Sequence, residues 1–236
     1  MRSLILAFQF MTRVPLPQVA AEPRHLAAAI RWFPLVGLFV GTFVAGAAWL
    51  GLQRDTWVGA LLALLAWVGI TGALHLDGLG DVADAAGAGH GDPRRISAVL
   101  ADPHIGSFGV TAIALQLIAK LVLLHAALCG SLLPIVFVPA IARIGPLLWT
   151  LVLPPLHQGL GSTFDAGATW TATAAWLLTF GAASVALAPA LLFALPAFAL
   201  WGWWLRLRIG GISGDGHGAG IEVIETMLLG ALVLAA

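Results

Sequence analysis

The run Phe33-Pro-Leu-Val-Gly-Leu-Phe-Val-Gly-Thr-Phe-Val-Ala-Gly-Ala-Ala-Trp-Leu-Gly-Leu52 decides the fold. It carries no charge and reaches the roughly 20 apolar residues with which a helix crosses a bilayer. Runs of the same kind occupy 57–76, 108–128 and 132–153. The tract 170–205 is too long for one span, and Pro189 and Pro196 divide it into two short helices or a kinked pair. A short last tract, 221–236, carries Glu222 and Glu225 at its entrance. Lipid admits only helices and closed barrels as spanning structures. The runs are of helical length, so the expected fold is an all-α, polytopic membrane bundle of about six or seven membrane segments.

Composition agrees. The chain has 236 residues, 60% of them hydrophobic and 9% charged, with a formal net charge of +0. Length alone would allow one or two soluble domains, but the apolar runs turn the reading into one integral membrane catalytic domain, 1–236. The lipid bilayer is the expected partner, no nucleic-acid partner is expected, and oligomeric state stays open. Cys129 is the one cysteine, which excludes an internal disulfide and cysteine-based zinc ligation; it reads as a small packed residue. Trp32, Trp49, Trp57, Trp149, Trp170, Trp201 and Trp203 fall near span ends, where an aromatic belt would lie. At the amino terminus, Arg13 and Pro15-Leu-Pro17 interrupt a short apolar run, which favours a helix at the membrane surface over a cleaved signal peptide.

Arg2, Arg13, Arg24 and Arg31 precede the first span, so the amino terminus reads as cytoplasmic. Counting spans returns the loop 77–107 and the loop 207–220 to that side. These loops hold most of the acids. One reads His75-Leu-Asp77-Gly-Leu-Gly-Asp81-Val-Ala-Asp84, with Asp92 and Asp102 after it; the other reads Gly210-Gly-Ile-Ser213-Gly-Asp215-Gly-His217-Gly-Ala-Gly-Ile-Glu222-Val-Ile-Glu225. Ionisable groups beside hydrocarbon are costly and mark functional sites by default.

Asp77, Asp81 and Asp84 are spaced i, i+4, i+7, so on a helix they share one face. Carboxylates without thiolates suit hard cations, which makes Mg²⁺, or Mn²⁺, the expected cofactor, held with substrate phosphates. Glu222 and Glu225, at i, i+3, offer a second ligand set or simply favour a helix start. Asp215 and Asp102 are turn residues or ligands, and Asp92 reads as the N-cap of a short helix at Pro93–Leu100. His75, His90, His104 and His217 lie in or beside the clusters, but their spacing matches no strong zinc pattern. His157 reads as a surface or packing residue. Arg143 interrupts an apolar span, where pairing with a carboxylate or phosphate is expected, while the flexible Lys120 can reach an interface. A cation transporter with the same acids is the rival of a different class.

At these motifs the chain resembles the cobalamin synthases, the membrane-bound adenosylcobinamide-GDP ribazoletransferases. The likeness begins at Phe10-Met-Thr-Arg13-Val-Pro-Leu-Pro17 and Phe33-Pro-Leu-Val-Gly37. It is most specific at Gly72-Ala-Leu-His75-Leu-Asp77-Gly-Leu-Gly-Asp81-Val-Ala-Asp84, and continues at Asp102-Pro-His-Ile-Gly106-Ser-Phe-Gly109, Arg143 and Gly210-Gly-Ile-Ser-Gly-Asp215. CDP-alcohol phosphatidyltransferases also cluster aspartates at a helix end, but their Asp-Gly-x-x-Ala-Arg pattern is not met at Asp77-Gly78. The family usually carries Asp-Ser-Arg where Pro103 and His104 follow Asp102, and Thr-Leu where Gly216-His217 stands here.

The resemblance implies Mg²⁺-dependent transfer of the cobinamide-phosphate group from adenosylcobinamide-GDP to α-ribazole or its 5′-phosphate, in the cell (inner) membrane of a bacterium or archaeon with the site facing the cytoplasm. The roles it implies are catalytic for Asp77, Asp81, Arg143 and Glu222. Metal binding falls to Asp77, Asp81, Asp84, Asp102, Asp215, Glu222 and Glu225. Substrate binding falls to His75, Gly211, Ser213 and Gly214, with His104, Arg94 and Arg95 standing in for the arginine lost after Asp102.

Overall fold

The computed structural model describes residues 1–88, 92–156, 163–164 and 166–236, so His90 and His157 lie outside the described residues. Every regular element among the described residues is a helix, and six of them are long and apolar enough to cross a membrane. The chain folds as a helical membrane protein.

Helices α1 (Arg2–Met11) and α2 (Pro23–Ala27) lead through a 3-10 turn into α3 (Phe33–Leu52). Then come α4 (Thr56–Thr71), α5 (Leu74–Ala88), α6 (Pro93–Leu100) and α7 (Ser107–Ala127). Next, α8 (Leu133–Ala142) and α9 (Gly145–Val152) form one interrupted span. The last three are α10 (Trp170–Leu187), α11 (Ala194–Arg208) and α12 (Gly214–Leu234). The tract 170–205 is divided at Pro189 as expected, and both halves are of spanning length.

Small residues hold the bundle together, as they must where lipid tails remove any hydrophobic drive between helices. A Cβ on Gly37 or Gly41 of α3 would collide with the α8 backbone at Pro139 and Val136. Four expectations change. The second span does not run unbroken through 57–76: α4 ends at Thr71 and α5 leaves at 85° to it. Gly72 (φ 63°) and Ala73 (φ 59°), both left-handed, make that corner. Alanine in this region is strained by about 1–2 kcal/mol, so the corner is held by its surroundings, including the bond from the Arg13 N–H to the Ile70 carbonyl at 2.8 Å. The last helix starts at Gly214 rather than near 221. Finally, Trp149 and Trp201 are core residues, not belt residues, and Cys129 is exposed rather than packed. The other belt candidates Trp32, Trp49, Trp57, Trp170 and Trp203 are exposed.

Candidate active site

The site forms where the first turns of α5 and α12 cross. A Cβ on Gly78 would stand 2.9 Å from the Asp215 carbonyl oxygen, and one on Gly218 would stand 3.3 Å from His75 Cα. Only glycine lets the backbones come this close. The start of α12 is fixed from both sides. The Ile212 N–H donates to the Pro154 carbonyl and the Leu156 N–H to the Ile212 carbonyl, each at 2.9 Å. Ser213 then caps the helix, its Oγ accepting the Gly216 N–H at 3.0 Å. Ser213 and the buried Gly211 therefore shape the helix entry, and Gly214 lines the cavity itself.

That cavity holds about 210 Å³. His75, Asp77, Asp215 and His217 make its polar part; Phe10, Met11, Phe33 and Phe164 stand among its apolar lining. Phe164 meets Phe10 and Phe33 edge-on at 5.3 and 5.4 Å. The positive end of the α12 dipole faces Asp215 and favours negative charge there. On α5 the carboxylates follow the expected single face, and their burial grades along it: Asp77 exposed, Asp81 half-buried, Asp84 buried. Asp81 lies within electrostatic reach of Asp77, Asp84 and Asp215.

Asp84 is engaged elsewhere. It accepts the Gly106 N–H at 2.7 Å and the Gly109 N–H at 3.0 Å, which caps α7 from a distance. Asp102 and His104 bond each other at 2.7 Å on the exposed surface, and that bond holds the Asp102 carboxyl below its usual range. Neither lines the cavity. Arg94 and Arg95 are exposed on α6, whose N-cap is Asp92 with Pro93 following, as expected.

Glu222, Glu225 and Arg143 belong to a buried network beside the cavity. Lys120 Nζ bonds Glu222 Oε2 at 2.7 Å and Glu225 Oε2 at 2.6 Å. Gln116 Nε2 donates to Glu222 Oε2 at 2.9 Å and to Thr226 Oγ1 at 2.8 Å. Arg143, fully buried, donates from Nη1 to Glu225 Oε1 at 2.8 Å and to the Pro139 carbonyl at 3.0 Å. Its Nη2 lies 3.4 Å from His75 Nδ1. Two cations thus balance two carboxylates. Arg143 does not line the cavity; its contact with the site is His75. Lys120 also sits 4.5 Å from the centroid of the Trp67 ring.

Gln116 and Lys120 were not singled out from sequence as partners of the glutamates. Their i, i+4 spacing on α7, matched by Glu222 and Thr226 on α12, was the available signal.

Asp77 and Asp81 on α5 and Asp215 on α12 are oxygen donors of the kind hard cations prefer. Among the described residues no three or more of the His, Cys, Asp and Glu side chains are grouped closely enough to hold a metal ion by themselves, so a cation here would need further ligands from substrate phosphates or water.

A family model described as cobalamin-5-phosphate synthase matches residues 3–233. A Novosphingobium aromaticivorans protein named adenosylcobinamide-GDP ribazoletransferase is 54% identical, the match covering 97% of this chain and 95% of that one. Proteins of the same name from Laribacter hongkongensis and Thiobacillus denitrificans are 52% and 49% identical, with 100% of this chain and 98% and 97% of theirs covered. No solved structure matches the chain. The chain belongs to the cobalamin-5-phosphate synthase family and is a membrane transferase of cobalamin biosynthesis.

Proposed function

We propose that the chain transfers the cobinamide-phosphate group of adenosylcobinamide-GDP to α-ribazole or its 5′-phosphate and releases GMP, a reading supported by relatives named adenosylcobinamide-GDP ribazoletransferase. The observation that carries this reading is the cavity at the α5–α12 crossing, where Asp77, Asp215, His75 and His217 converge from two helix starts. In this reading the acceptor hydroxyl oxygen bonds to the cobinamide-linked phosphorus. The bond from that phosphorus to the bridging oxygen breaks, and GMP leaves with the bond's electrons. The hydroxyl proton passes to a cavity carboxylate, Asp77 or Asp215.

Mg²⁺ bound by Asp77 and Asp81 with Asp215 would supply neutralising charge to the diphosphate. The buried network holds Arg143, and Arg143 orients His75, so Glu222, Glu225 and Arg143 act on the site as positioning residues. The same pairing argues against a cation pathway through the span of α12, because Lys120 and Arg143 already neutralise its glutamates. The positive-inside pattern of the early arginines supports a site on the cytoplasmic side of the cell membrane.

Protein reconstituted in liposomes with adenosylcobinamide-GDP, α-ribazole and Mg²⁺ is expected to form the nucleotide-loop product and one GMP per turnover, and to stop when Mg²⁺ is chelated. Chelator-sensitive cation flux without product would overturn the reading.

A further inference from the structure

Two buried imidazoles in the cavity each keep a ring nitrogen without a partner: His75 Nε2 and His217 Nδ1. Their side chains lie on neighbouring first turns, and His75 Cδ2 is 3.8 Å from where a Gly218 Cβ would stand. Arginine has no acceptor, so the contact with Arg143 makes His75 Nδ1 the acceptor and leaves the ring proton on Nε2. His75, a lining residue of the cavity, therefore carries an N–H that no protein group accepts. His217 Nε2 meets Thr150 Oγ1 at 3.3 Å, and its ring stacks over Trp149. Since a hydroxyl can donate or accept, His217 Nδ1 is ready for either role.

The polar part of the cavity thus offers a fixed donor, an adaptable nitrogen and the acceptor carboxylates of Asp77 and Asp215. A hydroxyl group matches this set, because it both donates and accepts. A phosphate oxygen only accepts, so beside these carboxylates it needs the cation proposed at Asp77 and Asp81, whereas a hydroxyl needs none. The apolar lining includes the rings of Phe10, Phe33 and Phe164 with Met11 and Ile221, none with a hydrogen-bonding side chain. Such a wall takes a planar apolar base and leaves the polar edge of guanine unsatisfied. The volume of about 210 Å³ falls below the roughly 300–1,000 Å³ of ordinary ligand clefts, so it suits a nucleoside-sized group rather than a macrocycle.

The geometry points to this cavity as the acceptor subsite: it binds a ribonucleoside with an apolar heteroaromatic base, the ribose hydroxyls held by His75, His217 and Asp77 and the base against the phenylalanine wall. The assignment rests on the transfer reading above and names which of its two substrates enters here. His217 and Phe10 become specificity-determining residues.

Hydrogen exchange followed by mass spectrometry on the full chain in detergent tests it with two probes, a benzimidazole ribonucleoside and guanosine. The benzimidazole nucleoside is expected to protect segments 74–78 and 214–218 at concentrations where guanosine does not. Equilibrium dialysis of the same nucleoside should show affinity about threefold to tenfold weaker in Phe10→Leu and in His217→Leu. Both replacements keep apolar bulk, and the wild-type exchange pattern reads the proposal even if either variant fails to fold. Absence of protection by the benzimidazole nucleoside, equal protection by guanosine, or wild-type affinity in both folded variants overturns the assignment. If transfer proceeds despite such a result, only the subsite falls. If selective protection is seen without transfer, the subsite stands and the transfer reading falls.

Discussion

Two groups of carboxylates sit within a few helical turns of each other and live under opposite conditions. Glu222 and Glu225 are buried, and Lys120 and Arg143 hold them at 2.6–2.8 Å. Asp77 and Asp81 stand on the accessible face of α5, and among the described residues no cation holds either. A buried charge must be paired or it unfolds its surroundings. An accessible, mutually repelling pair beside a cavity has no such structural duty and is free to bind a cation or take a proton. The lesson is that acidity alone does not mark the chemistry in this membrane protein; the partners of each acid do.

Variants sharpen that contrast. The largest structural effect is expected for Lys120→Met, which leaves two glutamates short of a cation: about 3–5 kcal/mol of stability, read as a lower melting temperature in detergent. A similar melt from wild type and variant would show that the network is not structural. Asp84→Ala comes next. It removes the acceptor of the Gly106 and Gly109 N–H groups, and a loss of about 1–3 kcal/mol is expected; stability equal to wild type would place Asp84 with Asp77 instead. Gly78→Ala pushes α5 from the Asp215 backbone. The overlap with backbone is expected to cost about 1–3 kcal/mol of stability, and turnover measured well below the melting temperature falls by up to about 100-fold, since misplacement near 1 Å costs that much. The smallest effect is expected for Ala73→Gly, which relieves the left-handed strain at the α4–α5 corner and should raise stability by about 1 kcal/mol.

The membrane class was legible because apolar runs of spanning length leave few alternatives, and the shared face of Asp77, Asp81 and Asp84 followed from their spacing. The glycine-rich stretch 210–220 was not legible as a helix. Glycine is a poor helix former, and only the crossing with α5, which requires Gly78 and Gly218, explains why α12 begins inside it. The partners of the glutamates were hidden for another reason. Lys120 lies more than 100 residues away along the chain, and sequence spacing shows helix faces but not which faces meet. The 85° corner likewise depends on a left-handed alanine that no propensity favours.

The division of roles stands or falls on Asp77→Asn, measured for transfer rate and melting temperature on the same preparation. The rate is expected to fall by about 100- to 1,000-fold, as for loss of a group that acts at the reacting centre, with melting unchanged. Full transfer activity in a protein that melts like wild type would contradict it.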